Sequence, residues 1–220
     1  MKHLLEVDSI EKLIGYKYIL SDVYIGCQSG EIIGLLGRNG SGKTTLFNII
    51  MGVVKAENRY VSIDKKKLIN TKEVIQQISY LPQKSFIPKG LTVNKAIELA
   101  IDRQDLKEIK TGILNTYLTR RVAELSFGEL RLLELAIVLY NKSKFVLLDE
   151  PFSGLSPIFI EQIIQILLLN VKRKGIILSD HNWRSLLRVS NRLVVLKDGK
   201  THHLRSDNEL VNYGYLNSLS

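Results

Sequence analysis

Short runs of apolar residues alternate along this chain with longer segments whose apolar residues recur every three or four positions. The runs Glu31–Leu36, Ile78–Leu81, Phe145–Leu148, Gly175–Ser179 and Arg192–Lys197 have the length of strands. Their nearly unbroken apolar character predicts burial on both faces, as in a parallel sheet. Helical spacing follows Gly42 and recurs at Val93–Ile101, Gly128–Tyr140, Ile158–Val171 and near Asp207–Leu216. Strand and helix in alternation predict an α/β fold with a mainly parallel central sheet. The residues up to Ile25 read as strands of an antiparallel β side sheet. The stretch of about 84–141 has few strand candidates and reads as a helical insertion subdomain between two parts of one core, about 1–83 and 142–220. No internal repeat, low-complexity tract or flexible linker divides the chain.

Composition adds bounds. A chain of 220 residues with 45% hydrophobic content can bury one sizeable core. Its single cysteine, Cys27, cannot form an intrachain disulfide, excludes a cysteine zinc cluster, and reads as a small buried hydrophobe. The first residues, Met1-Lys2-His3-Leu4-Leu5-Glu6-Val7-Asp8, turn acidic too soon for a signal peptide. No run reaches membrane-spanning length: Glu161, Gln162 and Gln165 interrupt the most apolar helix. The net charge of +9 admits nucleic acid or an anionic surface as partner. Its lysines and arginines are scattered, however. The clusters Lys65–Lys67 and Lys172–Lys174 have no interleaved aromatics and read as solvated turns, so no direct nucleic-acid contact is expected.

The chemistry is concentrated after the first apolar run. Gly37-Arg38-Asn39-Gly40-Ser41-Gly42-Lys43-Thr44 fits the G-x-x-x-x-G-K-[ST] phosphate loop, with a strand before it and a helix from Thr45 after it. Glycines let successive amides turn inward as an anion-binding nest, which then feeds a helix N-terminus. Lys43 is placed against the β- and γ-phosphates, and the Thr44 hydroxyl against Mg²⁺. Asn39, Gly40, Ser41, Gly42 and Thr45 complete the cradle. A second element is the strand Phe145-Val146-Leu147-Leu148, which ends in Asp149 and Glu150. Ligands of open α/β sheets sit at such strand ends. Asp149 can hold Mg²⁺ directly or through water, and Glu150 can orient or deprotonate the attacking water.

Between these motifs lies Leu125-Ser126-Phe127-Gly128-Glu129, which resembles the Leu-Ser-Gly-Gly-Gln signature of ATP-binding cassette (ABC) proteins. Phe127 and Glu129 depart from that pattern. Ser126-x-x-Glu129 is also a helix capping box, and a capped helix N-terminus is itself a phosphate site. Further elements resemble the family in order. Gln83, after Ile78–Pro82, resembles the glutamine loop that touches Mg²⁺ and the water. Ser153-Gly154-Leu155-Ser156 resembles the loop that crosses the dimer interface, with Ser156 where an Asp is usual. His181 resembles the switch histidine at the γ-phosphate. Ile14 stands where the family has its adenine-stacking aromatic, so Ile14 or Tyr16 faces adenine.

The resemblance covers nearly the whole chain and implies a P-loop NTPase core that binds ATP and Mg²⁺. It implies an ATP-hydrolysing transporter subunit, paired as homodimer or heterodimer with another ABC ATPase. Ser126, Gly128 and Glu129 would then face the nucleotide of the other subunit. It further implies a transmembrane permease partner docked near Ser85–Ala100, and a peripheral position on the cytoplasmic face of the membrane. A soluble ABC ATPase of cofactor assembly or a similar process is the alternative.

Overall fold

The computed structural model describes residues 2–215. Strands β1 (Leu4–Ile14) and β2 (Lys17–Gln28) form a long antiparallel hairpin. Strand β3 (Ile32–Leu36) enters the phosphate loop, and α1 (Lys43–Ile50) leaves it. Next come β4 (Asn58–Ile63), β5 (Lys66–Lys67), α2 (Thr71–Gln77) and β6 (Ile78–Leu81). Helices α3 (Val93–Ala100), α4 (Arg103–Thr111) and α5 (Phe127–Leu139) follow before β7 (Phe145–Asp149). The chain closes with α6 (Pro157–Asn170), β8 (Gly175–Ser179), α7 (Trp183–Val189), β9 (Arg192–Lys197) and β10 (Lys200–His203).

The ten strands of the described residues join one sheet, in the order β5-β4-β1-β2-β10-β9-β3-β8-β7-β6. The block from β9 to β6 is wholly parallel. The wing of β5, β4, β1 and β2 is antiparallel, so the expected side sheet is present as a continuation of the main one. The fold is therefore the mixed α/β architecture that the apolar runs predict.

Both faces of the parallel block are covered, which explains its lack of polar alternation. Ile32 and Leu36 of β3, Val146 and Leu148 of β7, and Ile176 and Leu178 of β8 pack with α3, α5, α6 and α7. Their neighbours Ile33, Leu35, Phe145, Leu147 and Ile177 point the opposite way, toward α1 and the antiparallel wing. Period-two alternation thus survives as alternation between two cores.

The tail departs from expectation. Asp207–Tyr213 is a 3₁₀ helix rather than an α-helix, and Leu216 lies outside the described residues. Among the described residues no helix is long and apolar enough to cross a membrane.

Helix α5 lies close against α6 at one point. A Cβ on Gly128 would stand 2.3 Å from Phe159 Cδ2 and 2.7 Å from its Cγ, so turning the ring alone gives no relief. Alanine is the better helix former by about 1 kcal/mol, but overpacking of this kind costs about 1–3 kcal/mol. Gly128→Ala is therefore expected to lower stability, read as a lower urea midpoint with an unchanged slope.

Candidate active site

The parallel strands end on one edge, where the loop after β3 and the turns after β6, β7 and β8 meet. A cleft of 680 Å³ opens there, lined by Asn39, Gly40, Ser41, Gly42, Lys43, Thr44 and Thr45 of the loop. Gln83, Glu150, Ser153 and His181 close its far side, and Ile14 and Ile19 its near one. Residues scattered over the sequence thus converge as the motif order requires.

The loop has the backbone that its glycines permit. Gly40 (φ 80°) and Gly42 (φ 103°) both occupy left-handed conformations. Lys43 is 6% exposed, and its ammonium donates to Gly37 O at 2.7 Å and Arg38 O at 3.4 Å. No described carboxylate pairs with it within 4.0 Å. Burial pushes its pKa down, against the raising pull of Glu150, Asp149 and Asp180. Ser41 Oγ is buried without a hydrogen-bond partner among the described residues. A buried cation held only by carbonyls and an unpartnered hydroxyl, inside an amide nest, suit an incoming phosphate.

Thr44 Oγ1 lies 2.7 Å from Asp149 Oδ2 and accepts from Gln83 Nε2 at 3.3 Å. Hydroxyl, carboxylate and amide form a hard oxygen donor set with one carboxylate. Such a set suits a Mg²⁺ whose remaining ligands are waters and substrate phosphates. Asp149 is fully buried, and its other oxygen accepts from Ser179 Oγ at 2.8 Å. Tyr80 Oη reaches Asp149 Oδ2 at 3.2 Å, and burial with that negative charge drives the phenol pKa upward.

Glu150 follows in a left-handed conformation, φ 49°, unusual for a side-chain-bearing residue. Strain of this kind gathers at functional sites. His181 Nδ1 stands 3.8 Å from Glu150 Oε2 and 3.6 Å from Asp180 Oδ1. Asp180, fully buried, accepts from the backbone N–H of Phe152 at 2.9 Å and of Asn182 at 2.8 Å. It therefore ties the turn after Glu150 to the His181 loop.

Arg131 makes a second tie from α5. It is 4% exposed and donates to Pro82 O at 2.7 Å, Asp149 O at 2.8 Å and Glu150 O at 3.2 Å. Its partner Glu134 accepts from Phe86 N–H at 3.2 Å. Sequence reasoning singled out neither residue, nor Tyr80 or Asp180. Their helical or strand positions look like ordinary core until the distant backbone groups they bind are known.

Four expected residues lie elsewhere. Ser126 caps α5, with Ser126 Oγ accepting from Glu129 N–H and Ser126 N–H donating to Glu129 Oε2 at 2.7 Å, so the capping box forms. Arg120 pairs with Glu129 at 2.9 Å. Yet Ser126, Gly128 and Glu129 do not line the cleft of their own chain. Tyr16 is fully exposed on the β1–β2 turn and does not line the cleft either, whereas Ile14 does. Aromatic rings nearer the loop belong to Tyr18, Tyr213 and Tyr215, in an adjoining hollow of 440 Å³ that shares Ile19 and Asn39–Ser41.

Comparison with known proteins agrees with this geometry. A family model described as "ABC transporter" matches residues 20–153. The chain is 30% identical to the lipopolysaccharide export system ATP-binding protein LptB of Acidithiobacillus ferridurans, over 96% of this chain and 94% of that protein. It is 33% identical to the LptB of Haemophilus influenzae, over 90% and 88% of the two chains. A solved ATP-binding subunit of an ABC transporter superposes with a TM-score of 0.83 at 23% identity, over 99% of this chain and 95% of that one, which concerns the fold. A phosphate loop on a parallel-sheet edge, an acidic strand end beside it and this breadth of similarity lead to one assignment. The chain belongs to the ABC transporter family, as an ATP-binding and ATP-hydrolysing subunit.

Proposed function

We propose that two copies of this chain, or one copy and a homologous cassette, clasp two ATP molecules head-to-tail and hydrolyse them to drive a separate transmembrane permease. One observation carries this reading: the single-chain cleft is lined by Lys43, Thr44, Gln83, Glu150 and His181, but not by the Ser126-capped helix end. A second protomer supplies that missing wall. Lys43 and the amide nest hold the β- and γ-phosphates, whose charge gives the buried ammonium the partner it lacks. Thr44, Asp149 and Gln83 hold Mg²⁺, which when bound neutralises phosphate charge. Glu150 orients or deprotonates the attacking water, and His181 contacts the γ-phosphate. Because nucleotide binds better when both walls are present, ATP favours the closed dimer and its hydrolysis favours reopening.

The same reading divides the chain into a nucleotide-binding core of about 1–83 and 142–220 and a helical subdomain of about 84–141. It is supported by three α-helices and two short 3₁₀ helices, with no strand, between β6 and β7 among the described residues. The face near Ser85–Ala100 receives the permease, and the subunit sits on the cytoplasmic side of the membrane. Cargo contacts lie in that permease.

Mixing tests the assembly. Lys43→Ala and Ser126→Arg proteins, each folded by thermal melting and each inactive alone, are expected to regain phosphate release when combined. A mixed dimer contains one site built from an intact loop and an intact capped helix. Activity that stays at the level of the separate variants overturns the head-to-tail arrangement.

A further inference from the structure

The Asp149 carboxylate is engaged by three hydroxyl side chains. Ser179 Oγ lies 2.8 Å from Oδ1, while Thr44 Oγ1 and Tyr80 Oη lie 2.7 Å and 3.2 Å from Oδ2. Ser179 is Asp149's neighbour across β8, and Thr44 belongs to the phosphate loop. Tyr80 comes from neither. It lies on β6, paired with Leu147 of β7, and its ring meets the buried Phe47 of α1 edge-on at 6.2 Å between centroids. Three residues later, just past the end of that strand, Gln83 donates to Thr44. The strand and the turn that leaves it therefore send two groups to the Thr44–Asp149 pair.

We infer that Tyr80 is a positioning residue: its phenol fixes the rotation of the Asp149 carboxylate and so sets the affinity for the divalent cation that accompanies the nucleotide. The inference rests on the reading of Asp149 as a metal-holding group. A carboxylate turns about a single bond, and hydrogen bonds on both oxygens hold it in one orientation. Thr44 can keep its O–H on Oδ2 while a lone pair faces the cation, but its position then follows the cation, to which its hydroxyl is assigned. Tyr80 has no such second duty, and Phe47 keeps its ring in place.

Tyr80→Phe keeps the ring and its contact with Phe47 and removes only Oη. Binding of a fluorescent ATP analogue is measured in EDTA and during titration with Mg²⁺, after thermal melting without nucleotide. Affinity in EDTA is expected to equal that of the parent, while the Mg²⁺ concentration for half-maximal tightening rises about ten-fold, as for other groups that orient a metal ligand. An unchanged or lower Mg²⁺ midpoint overturns the inference. So does an equal loss of binding with and without Mg²⁺, which marks a merely structural role. Asp149→Asn, run in parallel, separates the two layers. If it keeps the parent Mg²⁺ response, the metal site itself is misassigned. If it loses that response while Tyr80→Phe keeps it, only the role of Tyr80 falls.

Discussion

Glu150→Gln is expected to keep ATP bound while phosphate release falls by about 10²–10⁴-fold, the usual contribution of a positioned general base. Glutamine preserves the size of the side chain and one oxygen, but it cannot accept a proton from water. The substitution also leaves the surroundings intact. Arg131 reaches Glu150 through the backbone carbonyl, and the left-handed backbone at φ 49° burdens Gln much as it burdens Glu. The charge is therefore what changes. Removing a carboxylate 3.8 Å from His181 also lowers the negative charge that faces an arriving phosphate. Nucleotide should then stay clasped, and gel filtration with ATP should move the protein from monomer to dimer volume. Phosphate release at the parent rate would remove Glu150 from the reaction.

How far the sequence carries the site depends on where each residue finds its partners. Strands β6, β8 and β9 begin and end at the residues expected, because unbroken apolar runs between polar turns leave little choice of boundary. Gly37–Thr44 and Asp149–Glu150 were legible because each motif holds its own chemistry within a few consecutive residues. The short helices α2 and α7 were not legible. Each is a surface segment of seven residues, too brief for periodicity to separate from a loop. Tyr80, Arg131 and Asp180 were also missed, for another reason. Tyr80 acts on a group 69 positions away, Arg131 on Pro82 O 49 positions away, and Asp180 on Phe152 N–H 28 positions away. Such roles exist only once the sheet order is known. The placement of Tyr16 shows the converse. Ile14 holds the family position and Tyr16 was the nearby aromatic that could replace it, but the turn between β1, ending at Ile14, and β2, starting at Lys17, leaves Tyr16 fully exposed and outside the cleft lining.

Lys43→Ala separates function from folding most sharply, because its two effects have opposite signs. In the nucleotide-free chain the ammonium is buried, depressed in pKa by that burial, and held only by Gly37 and Arg38 carbonyls. A charge in that position weakens the fold relative to a neutral group, so its removal relieves a cost while losing a hydrogen bond. The melting temperature without ligand is expected to stay level or rise. With ATP the balance reverses. Charge-assisted hydrogen bonds contribute about 1.5–3 kcal/mol each, so their loss corresponds to roughly 10–10²-fold weaker binding for every contact removed. ATP should then no longer raise the melting temperature of the variant, as it does for a protein that binds it well, and phosphate release should fall to background. Equal ATP-induced stabilisation in variant and parent would detach Lys43 from the phosphates. A collapsed melting temperature without nucleotide would show instead that the lysine serves the fold.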